Sequence, residues 1–125
     1  MFNSYLVEAG NKLVELCNAD RTDEALETLY SKEVVSVEPM DYSGQGREAY
    51  GIDQLKAKHE WWYNAHEVHA SSADGPYFFG EHQFAVIFEM DVTDKASGER
   101  VQMKDIGIYS VVDGQITREE FFYRG

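Results

Sequence analysis

The chain has 125 residues, of which 43% are hydrophobic and 27% charged, the composition of an ordinary globular protein. Its formal net charge of −12 argues against partners that are themselves anionic, which excludes nucleic acid and acidic membrane surfaces.

The sequence has no phosphate-binding glycine loop, dinucleotide fingerprint or nucleophile elbow, so P-loop phosphoryl transfer, nicotinamide chemistry and triad acyl transfer are not expected. We expect one domain spanning residues 1–125.

The chain has one cysteine, Cys17, so no disulfide can form within it. The first ten residues lack the basic region and the long apolar run of a signal peptide. No apolar stretch reaches the length of a membrane span. These features predict a cytoplasmic, reduced protein that has no membrane partner.

The first half of the chain predicts three helices. Asn3 or Ser4 can cap the first helix, and Thr22 can cap a second, short one. The third is expected over residues 47–64. The buried stripes are predicted to be Leu6, Ala9, Leu13, Leu16 and Cys17 in the first, Ala25, Leu26 and Leu29 in the second, and Ile52, Leu55, His59 and Trp62 in the third.

Strands account for the rest. Residues 34–37 are rich in β-branched side chains and predict a first strand that ends at Pro39. From His66 onward the hydrophobic period changes to two, which predicts strands over residues 66–73, 77–91, 100–112 and 115–123. The turn signals between them are Gly75-Pro76, residues 96–98 and Asp113-Gly114. The order α-α-β-α-β-β-β-β predicts an α+β fold, in which a curved, mostly antiparallel sheet wraps three helices.

One of the predicted apolar rows contains a carboxylate. The inward row of residues 101–111 includes Asp105, and that of residues 84–92 is entirely apolar. Burial of Asp105 costs free energy unless the group is paired or protonated. Asp105 is therefore interpreted in one of two ways. It is a general acid or base near neutral pH, or it is a structural carboxylate hydrogen-bonded to a core histidine or tyrosine.

Three segments and the order of elements resemble the nuclear transport factor 2-like superfamily, in particular its uncharacterised SnoaL-like branch. The segments are residues 18–39, residues 46–49 leading into the third helix, and residues 113–122. The stretch from Trp61 to His69 resembles the same branch. The resemblance implies a cystatin-like cone that hosts both enzymes and pure binders.

The superfamily includes ketosteroid isomerases, and the resemblance carries their three functional positions onto this chain. The isomerase base lies directly before a proline, as Glu38 lies before Pro39. The acidic donor corresponds to Gly107, with Asp105 two residues upstream on the same face. The donor tyrosine corresponds to Leu13. Steroid isomerisation by that mechanism is therefore not expected.

We take Glu38, Asp105 and His59 as the candidate catalytic residues. Glu38 is either a general base or a solvated carboxylate at a strand end. His59 is either a core histidine or a partner of Asp105 or Glu38 in a carboxylate–imidazole relay. The predicted ligand-binding residues are Trp62, Phe88, Met90, Tyr109 and Leu13.

No metal or cofactor is expected. His66 and His69 point to opposite faces of a strand, so they cannot share one ion without a bulge. Arg118, Glu119 and Glu120 are interpreted as an outer polar layer or a dimer contact. The outward row of Ile106, Ile108 and Val112 needs cover, which predicts a homodimer formed through the sheet face.

The sequence predicts an apolar pocket for a small molecule in an uncharacterised SnoaL-like protein. If the protein is an enzyme, cofactor-free proton transfer of isomerase, cyclase or dehydratase type is expected. The alternative is a ligand-binding or dimeric scaffold module without turnover.

Overall fold

The computed structural model describes residues 3–42 and 44–123 and shows three helices and six strands. The helices are α1 (Ser4–Asn18), α2 (Thr22–Thr28) and α3 (Ile52–Ala65). The strands are β1 (Tyr30–Val37), β2 (Glu48–Tyr50), β3 (His66–Phe79), β4 (Gln83–Asp94), β5 (Arg100–Val112) and β6 (Gln115–Phe122).

All six strands form one sheet in the order β2-β1-β6-β5-β4-β3. The pairing of β1 with β6 is parallel, and the other described pairings are antiparallel. The chain reaches β6 last, and β6 then inserts between β1 and β5. The predicted α+β cone with three helices against a mostly antiparallel sheet is confirmed.

The core lies between the inner face of the sheet and α1. The side chain of Asn3 caps α1 by accepting a hydrogen bond from the Tyr5 amide, as the sequence predicted. Four of the five predicted stripe residues of α1 are buried, and Cys17 is half-buried. The core cluster from α1 and the two long central strands contains Leu6, Ala9, Leu13, Leu16, Phe84, Val86, Tyr109 and Val111.

The predicted turn at Gly75-Pro76 is wrong, because β3 continues through it to Phe79. The register with β4 shifts between Asp74 and Tyr77, so the two turn-forming residues are absorbed as an irregularity in the strand. A proline within a strand is tolerated here because β3 is at the edge of the sheet. The reversal instead lies between Phe79 and Gln83, so the predicted strand over residues 77–91 combined parts of two strands.

The predicted third helix over residues 47–64 begins too early. Residues 48–50 form the short strand β2, which pairs with residues 35–37 of β1 and was not predicted. Gly51 follows with φ +84°, a conformation that glycine adopts without strain, and the helix begins at Ile52. Of its predicted stripe only Leu55 is fully buried, whereas Ile52, His59 and Trp62 are half-buried.

Within the described ranges, each helix is too short or too polar to cross a bilayer.

Gly10 lies where α1 packs closely against the edge strand β3. A Cβ at this position would lie 3.0 Å from Phe78 and 3.1 Å from Pro76. Replacing glycine by alanine within a helix ordinarily adds about 1 kcal/mol of stability, whereas overpacking a core costs about 1–3 kcal/mol. We expect the crowding to exceed the helical gain, so that Gly10→Ala lowers the free energy of unfolding measured in urea.

The control is Asn11→Ala at the next position, which is exposed. It should gain a few tenths of a kcal/mol, roughly the difference in helix propensity. A Gly10→Ala protein more stable than the wild type would show that α1 and β3 are not in close contact.

Candidate functional site

The most buried carboxylate among the described residues is that of Glu119 on β6, which is only 7% exposed. The hydroxyl of Tyr30 donates to Oε1 of Glu119 at 2.5 Å, and that of Ser36 donates to Oε2 at 2.7 Å. Burial raises the pKa of Glu119, and its two hydroxyl donors and the nearby Lys58 ammonium act in the opposite direction. The interpretation of Glu119 as part of an outer polar layer is wrong.

A bulge at Thr117 is the reason. Ser110 of β5 pairs with Arg118 and Val111 pairs with Ile116, so Thr117 has no partner in the register. The extra residue reverses the alternation of inward and outward side chains. Ile116 and Glu119 are consequently both buried, although three positions separate them.

The network extends from Glu119 towards α3 and towards the deep core. Lys58 Nζ on α3 donates to the Ser36 hydroxyl at 2.8 Å and lies 5.7 Å from the centre of the Phe121 ring. On the other side the Tyr109 hydroxyl lies near that of Tyr30. Tyr109 is therefore part of the buried core, where burial raises the pKa of its hydroxyl far above the usual value.

Glu38 follows β1 directly and is a partner in this network. One carboxylate oxygen forms an ion pair with Lys58, and the other accepts a hydrogen bond from the Tyr123 hydroxyl at 2.6 Å. The side chain is 19% exposed. The sequence alternative of a freely solvated carboxylate does not describe it, because both oxygens have protein partners.

Asp105 differs from the other two carboxylates. Its Oδ1 is buried and has no hydrogen-bond partner among the described residues. Desolvation, and secondarily the negative charge of Glu38, raise the pKa of Asp105 to about 6. The structural alternative of a carboxylate bonded to a core histidine or tyrosine therefore does not describe the Oδ1 atom.

The inward row of β5 becomes more exposed towards its N-terminal end. Tyr109 is buried, Asp105 is half-buried and Val101 is 39% exposed. Phe88 lies directly opposite Asp105 on β4, and Met90 lies opposite Met103. We call the inner-face region formed by Asp105, Met103, Phe88 and Met90 the mouth of the cone.

Gly107 separates the mouth from the deep core. A Cβ at Gly107 would lie 2.9 Å from Tyr109 and 3.2 Å from both Phe121 and Phe88. Three aromatic rings therefore converge where the resemblance places the isomerase's acidic donor, and a side chain there would require the Tyr109 ring to shift. The inward carboxylate of this chain lies one inward position nearer the mouth, at Asp105.

His59 lies apart from the carboxylates of the cone. Its Nδ1 is 4.0 Å from Asp23 of α2, and its ring lies 5.2 Å from that of Tyr63. Burial lowers the pKa of His59, and the charge of Asp23 opposes that effect. The predicted relay from His59 to Asp105 or Glu38 is not formed, because the helical turn directs the ring towards α2.

The remaining predicted ligand residues occupy two environments. Leu13 and Tyr109 are buried in the core. Trp62, Phe88 and Met90 are half-buried, and the Trp62 ring stacks on His66 at 4.3 Å. Phe88 and Met90 thus line the mouth, while Leu13 and Tyr109 form the packed interior behind it.

No group of three or more metal-ligating side chains is assembled within residues 3–42 and 44–123. His66 Nδ1 is hydrogen-bonded to the Trp62 carbonyl at 2.8 Å, and His69 Nε2 is hydrogen-bonded to the Thr93 hydroxyl at 2.7 Å.

Two surface cavities lie away from the mouth. One of about 520 Å³ lies between α2 and α3 beside His59, and one of about 480 Å³ lies beside the start of α1 and the β5–β6 turn.

Sequence reasoning missed Glu119, Lys58 and Tyr123. Lys58 lies outside the apolar stripe predicted for α3, so nothing in the helical pattern marked it. Glu119 lies between two other charged residues, which suggested an exposed position. The one available signal was Ser36, a polar residue between two valines in the first strand. A polar residue on a buried strand face requires a partner, which the structure identifies as Glu119.

The comparisons with known proteins establish the family. The model of the SnoaL-like domain matches residues 7–123, so the chain belongs to the SnoaL-like family of the NTF2-like superfamily, as the resemblance implied. No protein of curated function matches the sequence significantly.

Solved structures agree with this assignment. A Mesorhizobium loti protein, provisionally named both a SnoaL-like polyketide cyclase and a carbohydrate phosphatase, is 39% identical, with a TM-score of 0.88 over 94% of this chain and 98% of its own. A provisionally named isomerase from Bacillus subtilis is 15% identical, with a TM-score of 0.76 over 96% and 86%. A Xanthomonas campestris protein of unknown function, described by its cystatin-like fold, is 12% identical, with a TM-score of 0.76 over 96% and 91%.

The buried Glu119 network makes a prediction about stability. Glu119→Leu removes the acceptor for two hydroxyls, and buried donors without partners are costly. We expect a loss of about 3 kcal/mol in the free energy of unfolding at neutral pH. Glu119→Gln keeps one acceptor and should lie between this variant and the wild type.

Glu120→Leu is the matched control, because Glu120 is the next residue, is directed away from the core and pairs with Arg118 and Arg47. Its loss should stay below about 1 kcal/mol. Equal stability of Glu119→Leu and wild type in urea unfolding would refute a structural role for this carboxylate.

Proposed function

We propose that the mouth of the cone binds a small apolar molecule and that Asp105 transfers a proton to or from it without a cofactor. The observation that carries this proposal is the Asp105 carboxylate, whose buried Oδ1 has no partner among the described residues. A buried group without a partner costs stability, and such costs are characteristic of functional sites.

The chemical environment favours Asp105 over Glu38 as the acid–base group. Lys58 and Tyr123 occupy both oxygens of Glu38, whereas Asp105 has a free oxygen in an apolar setting. A pKa of about 6 lets Asp105 accept a proton at neutral pH and return it within the same catalytic cycle. In this assignment Glu38 contributes by its charge, which opposes ionisation of Asp105.

Two of the provisional names of similar proteins fit this class of reaction. One of the two names of the Mesorhizobium loti protein is polyketide cyclase, and the Bacillus subtilis protein is provisionally named an isomerase. Both reactions depend on moving a proton within an organic substrate. An isomerase, cyclase or dehydratase is the corresponding proposal for this chain.

A binding or scaffold module without turnover is the second candidate. The specific observation in its favour is the convergence of Phe88, Tyr109 and Phe121 on Gly107, which fills the space behind the mouth with side chains. In such a module Asp105 would accept a hydrogen bond from the ligand without exchanging a proton.

We also propose a homodimer through the outer face of the sheet. Ile87, Ile106 and Phe122 align across β4, β5 and β6, and Ile106 and Phe122 are more than 40% exposed. Charged residues of both signs lie on the same face, where Lys104 pairs with Glu89 at 3.4 Å. A second copy related by a twofold axis would cover the apolar row with an identical one.

We propose a cytoplasmic location for this protein. Cys17 is the only cysteine, and burial raises the pKa of its thiol to about 12. Such a thiol is unreactive, and a fold that uses no disulfide is compatible with the reducing conditions of the cytoplasm.

A nitrobenzisoxazole, a neutral planar C–H acid, tests the proton-transfer proposal. When a base removes its C3 proton, a nitrile forms, the ring N–O bond breaks and the product is a coloured phenolate, so the reaction can be followed by absorbance. We expect the rate to rise with pH through a midpoint near 6, because only ionised Asp105 accepts the proton. Asp105→Asn should lower the rate about 100-fold or more.

The control is Glu89→Gln, which removes an exposed carboxylate of β4 on the outer face. It should leave the rate and its midpoint unchanged. A rate that persists in Asp105→Asn, or one without a pH midpoint, would remove Asp105 from the proposal and favour the binding module.

Analytical ultracentrifugation tests the dimer. We expect the wild type to sediment at twice the chain mass and Ile106→Lys to sediment as a monomer, because a charge in the centre of an apolar interface is costly. Trp61→Lys is the control, since Trp61 on α3 is 64% exposed and lies outside the sheet. A monomeric wild type, or a dimer that tolerates Ile106→Lys, would refute this interface.

A further inference from the structure

Two tyrosines connect Glu38 to the surface. Tyr123 directly follows the last residue of β6, and its hydroxyl donates to Oε2 of Glu38 at 2.6 Å. Its ring stacks on that of Tyr42 with centroids 6.4 Å apart and an angle of 12°. Tyr42 belongs to the loop between β1 and β2 and is 54% exposed.

The backbone of Glu38 is fixed independently of these tyrosines. The Glu38 amide donates to the carbonyl of Arg47 at 2.9 Å, and Arg47 Nε donates to the carbonyl of Glu38 at 2.9 Å. The side chain is therefore the part that can move. Its two restraints are the Lys58 ion pair at one oxygen and the Tyr123 hydroxyl at the other.

The charges around Glu38 make its orientation consequential. Lys58 attracts it from α3, whereas Asp105 on β5 and Glu119 on β6 carry charges of the same sign. A carboxylate free to rotate would move away from two other carboxylates and towards water. Holding it near Asp105 therefore requires more than one contact.

We propose that Tyr123, supported by Tyr42, is a positioning residue that holds the Glu38 carboxylate close to Asp105. The inference rests on the proposed function, since Asp105 is its acid–base group. Tyr123 acts through Glu38 and is not itself placed against the substrate. The exposed loop that carries Tyr42 is thereby connected to the acid strength of Asp105.

Carboxyl carbon-13 NMR measures this connection without a substrate. In the wild type Asp105 should titrate with a midpoint near 6, and Glu38→Gln should lower the midpoint, because the repelling charge is gone. Tyr123→Phe keeps the ring and loses the hydroxyl. We expect it to lower the Asp105 midpoint by about half a pH unit, in the same direction as Glu38→Gln.

Tyr50→Phe is the matched control. The Tyr50 hydroxyl donates to Glu48 at 2.7 Å in the same region but on the exposed strand β2. Its loss should leave the Asp105 midpoint unchanged. Tyr42→Ala, an exposed substitution that removes the stacked ring and spares the core, should lower the midpoint by less than Tyr123→Phe and reports on the proposal even if Tyr123→Phe does not fold.

The outcomes separate the two proposals. If Glu38→Gln lowers the midpoint and neither tyrosine variant does, the positioning role is refuted and the proposed function stands. If Asp105 titrates near the ordinary value of an aspartate in the wild type, the proposed function fails together with the inference.

Discussion

The structure depends on the buried carboxylate of Glu119. It lies on β6, and it accepts hydrogen bonds from Tyr30 and Ser36, both on β1. These two strands form the parallel pair that joins β1 and β2 to the rest of the sheet, so a charged hydrogen bond reinforces the backbone ladder between the two parts. Lys58 adds α3 to the same junction through Ser36.

The three carboxylates inside the cone have different partners, which gives them different roles. Glu119 has two hydroxyl donors and is structural, and Glu38 is held by Lys58 and Tyr123. Asp105 retains a buried oxygen without a partner among the described residues. The same residue type thus serves to join strands, to set a charge and to offer a reactive group, according to its neighbours.

Much of the fold followed from periodic patterns. The helical stripe of α1 and the alternation over β4 and β5 predicted the elements and the inward position of Asp105. The predictions failed where a local irregularity reversed or extended a pattern. The bulge at Thr117 placed Glu119 inside, and the edge position of β3 let the strand continue through Gly75-Pro76. Neither feature has a periodic signature.

The sequence by itself determined the family, the order of most elements and a carboxylate in an apolar row, because these depend on residue type and local spacing. The tertiary structure alone decided which carboxylates have partners. Lys58, Tyr123 and Ser36 come from separate segments and meet Glu38 or Glu119 only once the sheet and α3 have packed together. Electrostatic environment depends on distances across the fold, which spacing along a chain does not contain.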